Sequence, residues 1–212
     1  MKEYGESNVL NTEALGYLLG KYKERNLISR FLVSNFYRAI QNVVQLLEPT
    51  DRILEVGCGA GISSLRIRQM LCGQHFEVSD VDDNAVRQFE KIGFPIPFKQ
   101  ESVLQLQRAD DEFDCVFLLE VLEHVPDYER ALSELFRVSR KYVVVSTPNE
   151  PLWRILNLLR WKYIRDWGNT PGHVNHWSQS ALVRLINRFG EILKVYGPLP
   201  WTIVIAKAPP NK

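Results

Sequence analysis

The stretch Asp51-Arg52-Ile53-Leu54-Glu55-Val56-Gly57-Cys58-Gly59-Ala60-Gly61-Ile62 decides the fold. Ile53, Leu54 and Val56 are β-favouring apolar residues bounded by Pro49 on one side and glycines on the other, the pattern of a short buried strand. Three alternating glycines let the backbone turn sharply and let a ligand lie against bare peptide. A helix follows, and its free N–H groups favour a carboxylate or phosphate at that turn. A dinucleotide loop has a third glycine three residues after the second. Ile62 stands there instead, and the spacing is G-x-G-x-G. Working outward, Phe76-Glu77-Val78-Ser79-Asp80 is a second strand ending in an acid, placed to accept the hydroxyls of a ribose.

With these residues in view, the sequence resembles class I S-adenosylmethionine-dependent methyltransferases. Ile53 to Gly61 looks like that family's first motif, Ser79-Asp80-Val81-Asp82-Asp83-Asn84-Ala85-Val86 its ribose-binding segment, and Phe113 to Val125 its fourth motif. The resemblance runs from about Leu46 to the C-terminus and is nearest to the small stand-alone enzymes called type 11. It implies S-adenosylmethionine as cofactor. Glu55, Gly57, Cys58 and Gly59 would lie at the loop, Asp80 and Val81 at the ribose, Ser102 and Val103 beside the adenine, and Leu119 at the end of the fourth strand. Relatives usually carry an acid where Ser102 stands; Glu101, one residue away, is the available substitute.

Composition sets the outer bounds. A chain of 212 residues is expected to form one domain with a substantial core. Its 45% apolar and 24% charged residues are ordinary globular values, and a net charge of +1 argues against a large nucleic-acid field. Cys58, Cys72 and Cys115 lack C-x-x-C spacing, and Cys58 in the glycine loop and Cys115 in an apolar strand are read as reduced and structural. No apolar run approaches a membrane span and no signal-peptide hydrophobic region opens the chain, so a cytoplasmic protein is expected.

Along the chain, residues 1–48 are expected to form a helical cap. Ala14, Leu15, Leu18 and Leu19 suggest a short helix ending near Gly20. Phe36, Ile40, Val43, Val44 and Leu47 mark one face of a second. A helix to about Leu71 follows the glycine loop; Val86, Phe89 and Ile92 predict another, ending at Gly93, before Phe94-Pro95 and a short strand near Phe98. Strands are expected over Cys115–Leu119 and Tyr142–Ser146. Between them lies a helix over Tyr128, Ala131, Leu132 and Leu135, with Asp127 as N-cap. Ser178 caps a helix whose inner face is Leu182, Leu185, Ile186 and Phe189, closed by Gly190. Glu191–Tyr196 and Trp201–Ala206 then form a hairpin around Gly197–Pro200. The fold expected is α/β: Rossmann-like, doubly wound and mainly parallel, with an antiparallel C-terminal hairpin.

Methyl transfer from a sulfonium is an in-line displacement, so the protein mainly aligns an acceptor and excludes water. A base helps where the acceptor must lose a proton. Candidates belong at the C-terminal ends of the strands, where open α/β sheets bind ligands. Glu120, Glu123, His124 and Asp127 follow the fourth strand directly. One helical turn brings Glu120, Glu123 and His124 to one side, where they brace the turn, supply a base or hold a divalent ion. Some quinone-biosynthesis O-methyltransferases that look similar here bind a divalent ion through such residues. Bracing is the reading carried forward, and no metal is assigned.

The second cluster, Asn169-Thr170-Pro171-Gly172-His173-Val174-Asn175-His176-Trp177-Ser178, resembles a type 11 stretch beside the acceptor pocket. The catalytic candidates are thus Glu120, His124, His173 and His176. For Asn175 and His176 the alternative is that they pin a loop.

Residues 151–177 read as a lid over the acceptor site, with Trp153, Trp161 and Trp167 walling it and His173 and His176 at its floor. Arg154, Arg160, Lys162 and Arg165 punctuate the apolar residues of 151–167. Aromatic and basic residues together suit a lipid-like acceptor or peripheral membrane contact.

Absent motifs narrow the acceptor further. No Asn/Asp-Pro-Pro-aromatic run follows the fourth strand, Ser146-Thr147-Pro148 holds no nucleophilic cysteine, and no RNA-binding module is attached. The leading expectation is methylation, on oxygen, of a small-molecule or lipid-linked acceptor. The alternatives are a nucleic-acid or protein methyltransferase, or a cofactor-binding partner subunit without catalysis.

Overall fold

The computed structural model describes residues 27–84, 87, 96–159, 161 and 163–210. The helices expected over Ala14–Leu19 and over Val86–Ile92 lie outside the described residues, as do Phe94-Pro95, Arg160 and Lys162.

Helix α1 (Leu27–Val44) leads into β1 (Arg52–Val56), α2 (Ile62–Met70), β2 (His75–Asp80) and β3 (Phe98–Gln100). Then come β4 (Phe113–Leu119), α3 (Tyr128–Val138), β5 (Ser139–Pro148), α4 (Leu152–Leu159), α5 (Gln179–Ile186), β6 (Glu191–Tyr196) and β7 (Trp201–Lys207). The strands make one sheet in the order β3-β2-β1-β4-β5-β7-β6. Pairs among the first five strands are parallel, and β7 is antiparallel to both β5 and β6. This is the mainly parallel sheet with a C-terminal hairpin that the sequence predicts.

Alternation along the strands supplies both faces. Ile53, Cys115, Phe117, Val144, Ile203 and Ile205 pack with α1 and α2 through Phe36, Ile40, Val43 and Ile67. Leu54, Val116, Leu118, Val143, Val145 and Val204 pack with α3 and α5 through Leu132, Leu135, Leu182 and Ile186. Every position of β4 is buried, because a parallel sheet covered on both faces leaves its central strand no polar side.

Two strands exceed the expected length by more than one residue. β4 begins at Phe113, and β5 begins at Ser139 because Arg140 and Lys141 meet Asp114 and Asp51 at that exposed edge. β5 continues to Pro148 because β7 pairs its far end, Thr147 with Thr202 and Pro148 with Trp201. The expected N-caps are in place, Asp127 accepting from Arg130 N and Ser178 from Ala181 N, but the helix capped by Ser178 ends at Ile186 with Asn187 as C-cap, short of the expected Phe189 and Gly190.

Candidate functional site

Register aligns the strand ends. Val56 lies opposite Ser79 and Leu118, Asp80 opposite Gln100, and Leu119 opposite Ser146. The glycine loop, Asp80, Ser102, Leu119 and Glu120 therefore share one edge of the sheet.

At the loop, the Gly57 and Cys58 N–H groups both donate to Ser79 O, at 2.8 and 3.0 Å. Gly57 has φ +75°, and a Cβ there would stand 2.4 Å from a methyl of Val121. The glycine is therefore required both by backbone hand and by the β4 turn packed against it. Asp80 closes the loop from the next strand: one carboxylate oxygen accepts Gly59 N–H at 2.7 Å and the other Asp82 N–H at 2.9 Å. A Cβ on Gly59 would meet nothing within 4 Å, so that face of the loop is open. Gly61 caps α2 without a side-chain hydrogen bond, leaving first-turn N–H groups for an anionic group. These features fit the carboxylate and ribose ends of S-adenosylmethionine.

The other cofactor candidates divide. Glu55 is buried and accepts from Ser64 Oγ at 2.5 Å, so it braces α2 against the loop. Burial pushes its carboxyl up to about 7, partly offset by Ser63 and Ser64. Cys58 is buried, Val81 exposed, Val103 half-buried and Leu119 buried at its strand end. The Ser102 hydroxyl accepts from Leu104 N in a local turn. Glu101 is no substitute for the missing acid. Its side chain is wholly buried and committed to Arg108 at 2.9 Å and Gln107 N at 3.0 Å.

Tyr37 was not singled out by sequence. Its ring from α1 lies under the Arg66 guanidinium at 4.4 Å, and burial pushes its hydroxyl up to about 12, with Glu55 and Glu120 both close enough to add to the shift. The available signal was an aromatic hydroxyl beside the apolar stripe of Phe36 and Ile40.

The acceptor end begins at Glu120, whose φ of 57° is left-handed backbone that side chains rarely adopt. Its N–H donates to Ser146 Oγ at 3.0 Å, and that hydroxyl donates to Glu120 Oε1 at 2.7 Å. Burial raises the carboxyl; Ser146 and the Trp201 indole N–H pull in the other direction. The chain then enters a 3-10 turn, Leu122–His124. Glu123 is buried, its Oε2 has no hydrogen-bond partner, and burial together with the nearby Glu120 raises it also.

The segment after β5 returns to this turn. Asn149 pairs with Trp177, and the Glu150 N–H donates to Trp177 O, closing its base. Val174 and Asn175 N–H groups donate to Glu123 O, and Asn175 Nδ2 to Val125 O at 2.8 Å. The Gly172 carbonyl accepts from His124 Nδ1 at 2.9 Å. A carbonyl only accepts, so neutral His124 carries its hydrogen on Nδ1 and presents a lone pair on Nε2. His173 packs edge-on against His124, ring centres 4.8 Å apart. Burial and the neighbouring His124 and His176 push His173 down to about 4, so it is neutral at pH 7.

The grouping differs from the one expected. Donor atoms of Glu123, His124 and His173 all lie within 4.8 Å of one another, whereas Glu120 turns to Ser146. The left-handed backbone at Glu120 causes the divergence, because the chain does not continue as a helix there. His176 stands further off, its ring 6.5 Å from that of His173 and its Nδ1 3.6 Å from Glu150 Oε1. Of the three tryptophans, only Trp153 turns inward: it donates to Thr170 Oγ1 at 2.9 Å and packs on Trp201. Trp161 and Trp167 are 83% and 77% exposed.

The methyltransferase-domain family model matches residues 28–191. A ubiquinone biosynthesis O-methyltransferase of Rhizobium etli is 28% identical over 123 residues, covering 52% of this chain and 49% of that protein. A sterol 24-C-methyltransferase of Aspergillus fumigatus is 29% identical over 92 residues, covering 41% and 24%. The chain thus spans half or less of the length of these curated relatives. A SAM-dependent methyltransferase of Aquifex aeolicus shares the fold with TM-score 0.64 at 16% identity, covering 81% and 89% of the two chains. The family match over 28–191 and the open cradle formed by Gly57, Gly59 and Asp80 agree: this chain belongs to the methyltransferase-domain family, class I enzymes whose cofactor is S-adenosylmethionine.

Proposed function

We propose that the chain methylates an oxygen of a small-molecule acceptor with a lipid-like apolar portion, and that Glu120 is its general base. The observation that carries this is the Glu120 carboxyl at the end of β4, raised by burial and held by Ser146 at the edge shared with the glycine loop. The bound cofactor supplies an electrophilic methyl on a sulfonium. Asp80 would hold its ribose and the uncapped first-turn N–H groups of α2 its carboxylate, while Glu55 keeps the loop rigid through Ser64. Glu120 takes the acceptor's proton, and Ser146 orients its Oε1. With Nδ1–H bonded to Gly172 O, His124 turns its Nε2 to the same side as a second acceptor. A carboxyl raised toward neutrality suits a base, because it is ionised in part at pH 7 and still holds a proton well.

Lipid character is supported by the names of the curated relatives and by the exposed apolar residues Ile155, Leu159, Trp161, Ile164 and Trp167 around α4. No helix of the described residues is long and apolar enough to cross a membrane. Residues 151–167 would therefore touch a bilayer only from its surface.

A second reading attaches to Glu123, His124 and His173. A buried carboxylate oxygen without a partner, one imidazole with a directed lone pair and one held neutral form a donor set that suits a divalent cation. Such an ion would supply a Lewis acid that polarises the acceptor hydroxyl.

One experiment separates these. The protein is incubated with methyl-labelled S-adenosylmethionine and a lipid extract, and label is counted in the organic phase. Glu120→Gln should lower turnover roughly 100-fold with cofactor affinity retained, and wild-type turnover should rise with pH through neutrality as Glu120 ionises. Undiminished turnover in that variant would remove Glu120 from the mechanism. Label found only in precipitated protein or nucleic acid would overturn the acceptor class. Full activity after exhaustive chelation would exclude the cation.

A further inference from the structure

Helices α1 and α4 leave an apolar groove of about 350 Å³ between them, lined by Ile28, Leu32 and Val33 on α1, Trp153 and Leu156 on α4, and Trp201 at the start of β7. Asn157 also borders it, but its amide is turned to Gly168 O and Thr170 Oγ1 and is already satisfied. Trp201 closes the inner end. It stands in register with Pro148 at the strand end that carries Ser146, and Phe36 and Trp153 hold its ring at 5.2 and 5.9 Å. The base candidate Glu120 is bonded to that same Ser146. The groove therefore runs from an exposed mouth to the threshold of the acceptor end. At the mouth, Leu159 lines the groove and is 72% exposed.

We propose that this groove seats the hydrocarbon tail of the acceptor, a single-chain amphiphile whose reactive head passes Trp201 to reach Glu120. The proposal rests on the lipid-type reading of the acceptor and adds where its tail lies. Size favours this occupant. The volume is at the low end of small-molecule sites, about 300–1,000 Å³. A helix with side chains is about 10–12 Å across and needs more room. A second copy of the chain would need about 800 Å² per partner for a stable contact, far more than one narrow cleft offers. Trp153 and Trp201 then act on specificity. They admit a thin chain and hold back a bulky or polar one.

The test uses the full chain with Trp161 and Trp167 changed to phenylalanine, so that fluorescence reports Trp153 and Trp201. Trp177, packed on Tyr128, remains as constant background. A dodecanoate brominated near its tail is the probe, because bromine quenches indole only on contact. Saturable quenching is expected. Val33→Phe, which fills the groove, and Leu156→Lys, which charges it, should each weaken probe binding at least tenfold with S-adenosylmethionine affinity and melting temperature unchanged. If one of the two fails to fold, the other decides. Quenching that never saturates, or that ignores the substitutions, overturns the proposal. So does a loss accompanied by a change in sedimentation, which would assign the groove to a second copy. Loss of cofactor binding in the unsubstituted chain would instead sink the functional reading itself.

Discussion

The two edges of this sheet treat buried charge in opposite ways. At the N-terminal edge, Asp51 accepts from Lys141 at 2.5 Å, and Asp114 accepts from Arg52 N, Arg140 and Lys141. Burial alone would raise Asp114, but these donors hold it below the ordinary carboxylate range. Glu77, under Arg108 and His75, is lowered in the same way. At the C-terminal edge, Glu55, Glu120, Glu123 and Glu150 are all raised, burial being the largest cause in each. Buried oxygens without a hydrogen-bond partner gather there too: Ser79, Glu123, Thr147, Glu150 and Thr202. An orphaned polar atom costs about 1–3 kcal/mol. Among the described residues the first edge leaves Arg108 Nη2 unpartnered, against five oxygens at the second, so buried charge is mostly paired at the first edge and mostly unpaired at the edge of the candidate site.

The harshest way to break that division is Gly57→Val. The new side chain would need a left-handed φ and would drive into Val121 at the heart of the second edge. We expect about 3 kcal/mol of destabilisation or more. Calorimetry should show S-adenosylmethionine affinity reduced roughly 100-fold in whatever folded protein remains. Near-native stability and affinity would mean that the loop has slack the geometry denies.

The same residue shows what was legible in the sequence. Strand–loop–helix order, Asp80 and the hairpin follow from local pattern, because alternation and glycine spacing act over a few residues. That Val121 presses on Gly57 is a contact across 64 positions and leaves no local trace. Glu120 was found as a candidate, but its left-handed backbone and its turn toward Ser146 depend on β5 arriving beside it. His173 joined Glu123 and His124 only because the returning segment bonds to Glu123 O and lays Gly172 on His124, where an added Cβ would stand 3.4 Å from the ring. The exposure of Trp161 and Trp167 is illegible for a related reason: an aromatic residue carries the same letter whether it meets a partner or not.

A smaller effect sharpens the comparison through pH. Glu55 is raised from an ordinary 4.5 to about 7 in the folded chain, so it binds its proton more tightly folded than unfolded. Its contribution is fully present below pH 4.5 and is lost as pH rises to about 7, by about 3 kcal/mol at most. Asp114 has the opposite sign: its contribution is present above the ordinary value and lost as pH falls through its lowered one. Denaturant melts across pH should therefore show Glu55→Gln flattening the decline between pH 4.5 and 7, and Asp114→Asn flattening the decline in acid. If both variants changed the same limb, the two edges would not be electrostatically distinct.

The smallest expected effect concerns His176, the sequence candidate that stands furthest from the others. Its ring reaches Glu150 at 3.6 Å, a long and partly solvated pairing, and Glu150 in turn bonds through its N–H to Trp177 O at the base of the returning segment. Pairs of this kind contribute at most about 1 kcal/mol. His176→Ala should thus lower stability by no more than that and leave cofactor affinity unchanged. Turnover should fall only about twofold, through a looser segment. Glu150→Gln should produce the same loss, and the double variant should add little to either, because both remove one contact. A tenfold fall in turnover with unchanged melting temperature and cofactor affinity would contradict this. Such a result would show that His176 meets the acceptor, and the reactive head would then sit between Glu120 and the returning segment, not against the β4 turn alone.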